Sequence, residues 1–153
     1  MSNTSVPGCE LCESDGGAMI FRGERWRVVR VTGAEGNAFP GFCRVIWNEH
    51  IREVTDLLPV DRQQLMEVVF QVESALRLSL APHKMNVASL GNLTPHLHWH
   101  VIPRFTDDVA FPKPIWAVTL TANASLDTLV PKQRRNPEDA GWEKAVHRAL
   151  ESI

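Results

Sequence analysis

"HLHWHVIPR", residues 96–104, sets a histidine at every second position of an otherwise apolar run. Side chains on a β-strand alternate between its two faces. His96, His98 and His100 are therefore expected on one side, and Leu97, Trp99 and Val101 on the other. The apolar side is bulky enough to bury in a core. Same-face neighbours on a strand stand about 6.5–7 Å apart, two rises of ~3.3 Å. The three imidazoles would form a fixed row on a rigid element. Pro103 is expected to close the strand, because it lacks the N–H a central strand needs.

Three readings of the row compete. The plainest is a half-buried strand whose outer face happens to be histidine. It leaves unexplained why three of the chain's six histidines fall within five residues. The second is a metal site, since neutral imidazole is the commonest protein metal ligand. All three histidines along one strand, however, reach too far for a single tetrahedral ion. The third is catalysis. Unperturbed histidine has a pKa of roughly 6.5, so at neutral pH it is mostly uncharged and nucleophilic. Spacing favours the third reading, with an outer histidine available to a metal. Just upstream, "LGNLTP" (90–95) places Gly91 where backbone can approach an anion without a side chain in the way. The exposed amides of that loop, with Asn92, could hold phosphate oxygens.

Further out, "AMIFRG" and "RWRVVRVT" (18–23 and 25–32) read as a β-hairpin turning at Gly23 and Glu24. "GAEGNAFPG" (33–41) reads as a turn-rich loop and "FCRVIWN" (42–48) as a strand. After His50 the period changes. Pro59 suits a helix start, and Leu65, Val68, Val69, Val72, Ala75, Leu76 and Leu80 recur along one helix face until Pro82. "MNVASL" (85–90) returns to strand. "PIWAVTL" (114–120) suits a strand or an extended arm, and "KQRRN" (132–136) a solvated loop. From Pro137, Trp142, Ala145, Val146, Ala149, Leu150 and Ile153 outline a second amphipathic helix. Strands grouped around one main helix suggest an α+β fold with an antiparallel sheet.

The chain has 153 residues, 44% of them hydrophobic and 22% charged, which suits one domain with a substantial core. A net charge of −2 gives no basic footprint for nucleic acid, so a nucleotide would be bound as a small molecule. No stretch approaches the ~20 apolar residues that span a bilayer. "MSNTSVPG" has neither the basic start nor the apolar run of a secretory signal, so a cytoplasmic protein is expected.

"CELC", Cys9 to Cys12, has the spacing of a zinc knuckle or a redox dithiol. No strand precedes it, which weakens the redox reading. The other ligands of a zinc site would come from Cys43, His50, His83, His96 and His147. Cys43 alternates with apolar residues and reads as a buried small hydrophobe. His83 and His147 read as surface positions. A site of Cys9, Cys12, His50 and His96 would tie the N-terminal arm to two strands, but spacing alone does not fix the last two ligands. Asp107 and Asp108 read as a solvated turn, with a divalent ion as the alternative.

Taken together, "HLHWHVI" resembles the His-x-His-x-His-x-x pattern, with hydrophobic x, of the histidine triad (HIT) superfamily of nucleotidyl hydrolases and transferases. "GNLTP" is similar to that family's glycine–glutamine loop, with Asn92 at the glutamine position. "RVIWNEHIREVTDL" resembles its strand, histidine and short helix, and CxxC resembles the members that bind zinc. The run "LGNLTPHLHWHVIPRF" looks most like bacterial members described as diadenosine tetraphosphate hydrolases.

The resemblance implies a HIT-like α+β fold: an antiparallel sheet of about five strands, one long helix and a C-terminal helix. It implies a nucleotide-phosphate domain over 1–110 that includes the CxxC arm, with 111–153 as an extension packed on it. It implies a homodimer, a small-molecule nucleotide substrate and a structural zinc on Cys9, Cys12, His50 and His96. His98 would attack the α-phosphate of a dinucleoside polyphosphate or nucleoside phosphoramidate, giving a nucleotidyl-histidine that water cleaves. His100 would bind a phosphate oxygen, and His96 would orient the row or serve the zinc. Asn86, Gly91, Asn92 and Leu93 would line the phosphate site. Glu35 is a weak match for the acidic residue that many relatives place on the ribose. The alternatives within this resemblance are nucleotidyl transfer, or zinc-stabilised nucleotide binding with little turnover.

Overall fold

The computed structural model describes residues 5–117 and 141–153. Its strands are β1 (Ala18–Arg22), β2 (Trp26–Arg30), β3 (Cys43–Trp47), β4 (Lys84–Ala88) and β5 (His98–Arg104). They form one antiparallel sheet in the order β1-β2-β3-β5-β4. Register fixes the faces: Val28 pairs with Val45 and Val45 with Trp99, while Arg44 pairs with His100 and Ile46 with His98.

One face is the main core. Val28, Cys43, Val45, Leu97 and Val101 pack there against Leu65, Val68, Val72 and Leu76 of the long helix α3 (Pro59–Leu80). Pro59 occupies the first turn of α3, where its missing N–H has no partner to lose. Ala81 caps the other end at φ 45, in the left-handed region common after a helix, and Pro82 prevents continuation. The C-terminal helix α4 (Gly141–Leu150) adds Val146 and Leu150 to the same core. Its expected start at Pro137 lies outside the described residues, as do residues 118–120 of "PIWAVTL". Ile115–Ala117, within the described part of that run, is a 3₁₀ turn rather than a strand. Among the described residues no helix is long and apolar enough to cross a membrane.

Four local expectations are corrected. Residues Gly33–Ala38 form a short helix, α2 (α1 being the single turn Glu10–Glu13), rather than a loop. The glycines that suggested a loop permit close approach: a Cβ on Gly36 would lie 2.0 Å from the Val31 carbonyl oxygen. β5 begins at His98, not His96. The Leu97 N–H donates to the Ile51 carbonyl and its carbonyl accepts from Trp47, so this stretch is held by the chain at and after the end of β3.

β5 also runs through Pro103 to Arg104. The Arg104 carbonyl accepts from His83 on the β4 side, so the Pro103 nitrogen faces the β3 side, where pairing has ended at Val101. Gly41 lies there, and a Cβ on it would come within 2.9 Å of the Pro103 ring. Finally, Asp108 is not solvated. It is buried against Arg104, whose Nε and Nη2 donate to it at 2.8 and 3.0 Å, while Asp107 is exposed.

Candidate active site and metal cluster

The face opposite α3 carries His98 and His100, both buried, with ring centroids 4.8 Å apart in an edge-to-face arrangement. Two small apolar clusters cover the same face. Cys9, Leu11, Val29 and Ile46 form one; Val31, Ala38, Phe39, Phe42, Ile102, Ala110 and Ile115 form the other. Phe42 and the half-exposed Trp116 approach the His100 ring at centroid distances of 5.6 and 5.0 Å. The histidines thus sit in a largely apolar frame with aromatic rings to one side.

Nδ1 of His98 lies 2.5 Å from the main-chain carbonyl oxygen of His96. A carbonyl can only accept, so Nδ1 carries the proton and the lone pair is on Nε2. Burial pushes the His98 pKa below the ordinary histidine range and the Arg44 charge adds to this, against the opposing hydrogen bond to His96. His100 is pushed down to about 3, first by burial and then by His98 and Arg44. Both rings are therefore neutral at pH 7. A buried neutral imidazole with a fixed tautomer is suited to nucleophilic attack or to accepting a proton.

His96 has a different set of partners. Its Nε2 lies 2.7 Å from the Trp47 carbonyl and so donates to it, leaving Nδ1 unprotonated. That Nδ1 is 3.5 Å from the Sγ atoms of both Cys9 and Cys12, and His50 Nδ1 is 3.4 Å from Cys12 Sγ. The ligand atoms of Cys9, Cys12, His50 and His96 all lie within 4.8 Å of one another. Burial lowers the His96 pKa, which keeps the ring in the neutral form that binds metal. The cluster could hold a metal ion. A tetrahedral ion with metal–sulfur bonds near 2.3 Å and metal–nitrogen bonds near 2.0–2.1 Å sets sulfur–nitrogen edges of about 3.5 Å. The Trp47 carbonyl supplies the outer hydrogen bond that orients a ligating histidine.

The other anticipated residues are placed as follows. Asn86 lies on β4 opposite Ile102, and its Oδ1 accepts from Arg104 Nη1 at 2.7 Å. Gly91, at φ +78, opens an exposed loop in which Asn92 and Leu93 face solvent. Glu35 lies on α2, 3.7 Å from Arg44. Cys43 is fully buried in the core, and His83 and His147 are exposed.

Sequence reasoning did not single out Arg44, Arg104, Trp116 or the carbonyls of His96 and Trp47. The alternation in "FCRVIWN" already puts Arg44 on the face opposite Cys43 and Val45, so that signal was available. The carbonyls have no signature, because every residue has one.

A cavity of about 860 Å³ lies elsewhere, between the CxxC arm and the β1–β2 hairpin, and neither His98 nor His100 lines it. Its cations are already paired: Arg22 with Asp15, Arg25 with Asp61, and Arg27 with the carbonyls of Leu11, Ser14 and Asp15. The buried imidazoles of His98 and His100, whose pKa values burial lowers, lie on the histidine face instead.

This sheet, with its histidine row, defines a histidine triad protein. The HIT domain model matches residues 32–107, and that match with the shared fold supports the HIT superfamily. The CxxC arm lies outside the matched segment. The histidine triad protein of Bradyrhizobium japonicum is similar at 27% identity and a TM-score of 0.69, over 89% of this chain and 92% of that one. The histidine triad protein of Marinobacter aquaeolei shares the fold at 23% identity and a TM-score of 0.67, over 91% and 92%. A zinc-bound histidine triad family protein of Mycobacterium smegmatis shares it at 20% identity and a TM-score of 0.53, over 89% and 85%. No curated protein matches the sequence.

Proposed function

We propose that the chain is a nucleotide phosphohydrolase that works through a covalent nucleotidyl-His98 intermediate. The observation that carries this reading is the His98 Nδ1–H bond to the His96 carbonyl, which leaves Nε2 as the free nucleophile. Membership of a superfamily that includes nucleotide hydrolases supports it. Nε2 attacks the α-phosphorus of a dinucleoside polyphosphate or a nucleoside phosphoramidate. The bond from phosphorus to the leaving oxygen or nitrogen breaks, and the leaving group takes up a proton. Water then cleaves the phosphorus–nitrogen bond, restoring His98 and releasing a nucleoside monophosphate. As positive charge grows on the attacking ring, the His96 carbonyl is already oriented to accept its N–H, so little rearrangement is needed.

His100, neutral, offers one ring N–H to a phosphate oxygen. The amides of the 91–93 loop, with Asn92, would face the phosphate chain. Because Asn86 Oδ1 is taken by Arg104, its Nδ2 is the donor left for a phosphate. The four residues Cys9, Cys12, His50 and His96 fit zinc, which when bound would close a structural site and stiffen the arm.

The test is release of AMP from diadenosine polyphosphates and adenosine phosphoramidates by wild type and His98→Ala. The account expects release by the wild type and none by the variant. Wild-type turnover in His98→Ala would remove the nucleophile.

A further inference from the structure

On the histidine side of β2, β3 and β5 stand three arginines, Arg27, Arg44 and Arg104, while Arg22 of the edge strand β1 is paired with Asp15 and Arg30 stands opposite Cys43 on the core side. Two are saturated. Arg27 donates to the carbonyls of Asp15 and Leu11 at 3.0 and 2.7 Å and to Asn48 at 3.1 Å. Arg104 donates to Asp108, Asn86 and the Lys113 carbonyl at 2.7–3.0 Å. Arg44 differs. Its Nη1 makes one long bond to the Gly16 carbonyl at 3.2 Å, its Nη2 stands 3.7 Å from Glu35, and its buried Nε has no hydrogen-bond partner among the described residues. In register it stands directly opposite His100.

A phosphate chain laid on His98 and His100 would need a cation, and Arg44 is the arginine there with donors to spare. A guanidinium presents a planar fork that matches phosphate oxygens. Glu35 competes for that fork and repels any anion that approaches it. We infer that Arg44 is the phosphate-binding cation of the histidine face, and that Glu35 is its resting counter-ion, displaced when a phosphate-bearing ligand enters. The inference rests on the reading above, that an anionic phosphate lies on His98 and His100. It reverses the sign expected of Glu35. A ribose contact would make Glu35 favourable for ligand binding, whereas a competing counter-ion makes it unfavourable.

Titration calorimetry of the full chain with AMP, and separately with inorganic pyrophosphate, tests this in wild type, Arg44→Gln, Arg44→Lys and Glu35→Gln. Loss of a charge-assisted pair predicts that Arg44→Gln weakens both ligands by about 10- to 100-fold. Arg44→Lys should retain part of the affinity, having the charge without the fork. Glu35→Gln should tighten both ligands severalfold, and it keeps the test open should Arg44→Gln fail to fold. Unchanged affinity in Arg44→Gln, or weaker binding in Glu35→Gln, overturns the inference. The two readings fail separately. Arg44-dependent binding of pyrophosphate without binding of AMP removes the nucleotide reading and keeps the cation. AMP binding indifferent to Arg44 does the reverse. Binding of neither ligand by wild type removes both.

Discussion

The Arg104–Asp108 pair fastens the chain after β5 to the sheet, and Asp108→Asn measures how firmly. The two side chains are 2% and 3% exposed. Besides two bonds from Arg104, Asp108 accepts from the N–H groups of Ala110 and Phe111 at 3.0 and 2.7 Å. Removing the charge leaves a buried guanidinium uncompensated, a loss of about 3–5 kcal/mol for breaking such a pair. The amide oxygen of Asn retains part of the N–H bonding, so the low end applies. About 3 kcal/mol corresponds to a fall in Tm of roughly 6–12 °C for a chain of this size.

The pH dependence follows from the Asp108 pKa. Burial alone would raise it, but the Arg104 and backbone hydrogen bonds outweigh burial and hold it below the usual carboxylate value. Its contribution is therefore present above the unfolded pKa of about 3.9 and lost as pH falls through the lower folded value. Urea unfolding of wild type and Asp108→Asn at pH 7 and pH 3 gives the readout. A gap near 3 kcal/mol at pH 7 that shrinks in acid is expected. A variant within 0.5 kcal/mol of wild type at pH 7, or a gap unchanged in acid, would refute the reasoning. Because this segment leads to Trp116 on His100, the variant should also raise KM for nucleotide.

Three further outcomes are expected. Since burial lowers the His98 pKa, kcat/KM should stay level as pH falls from 8 through 6.5 and decline only below that; an acid limb at or above 6.5 contradicts the buried neutral nucleophile. Purified protein should carry about one zinc per chain, and Cys12→Ser should lose it and unfold at lower temperature; a variant with undiminished metal would place the ion elsewhere. The Cys43 thiol, fully buried and pushed up by that burial, should resist alkylation until the chain unfolds, which mass spectrometry of labelled peptides would show.

The fold was legible wherever one periodicity dominated. The apolar stripe from Leu65 to Leu80 and the β-branched runs of β2 and β3 each state their element and their buried face. The histidine row was legible in the same way, since period two puts His98 and His100 on one side. His96 precedes β5 and contacts Cys9 and Cys12, because its neighbour Leu97 is held by Ile51 and Trp47, contacts far away in sequence. The same distance hid Asp108: a run of two aspartates after a strand looks solvated until Arg104 folds onto it. Gly33 and Gly36 suggested a loop because glycine marks both flexible chain and close approach, and composition does not separate the two. Gathering Cys9 and Cys12 beside His50 and His96 needed the sheet order, which no spacing contains.

The most direct measurement concerns the bond proposed to form on His98. Rapid acid-free quenching of wild type during turnover of diadenosine tetraphosphate, followed by peptide mass spectrometry, should find one nucleoside monophosphate adduct on His98. An adduct on another residue, or turnover with no adduct while the leaving group appears in a burst, would contradict the account.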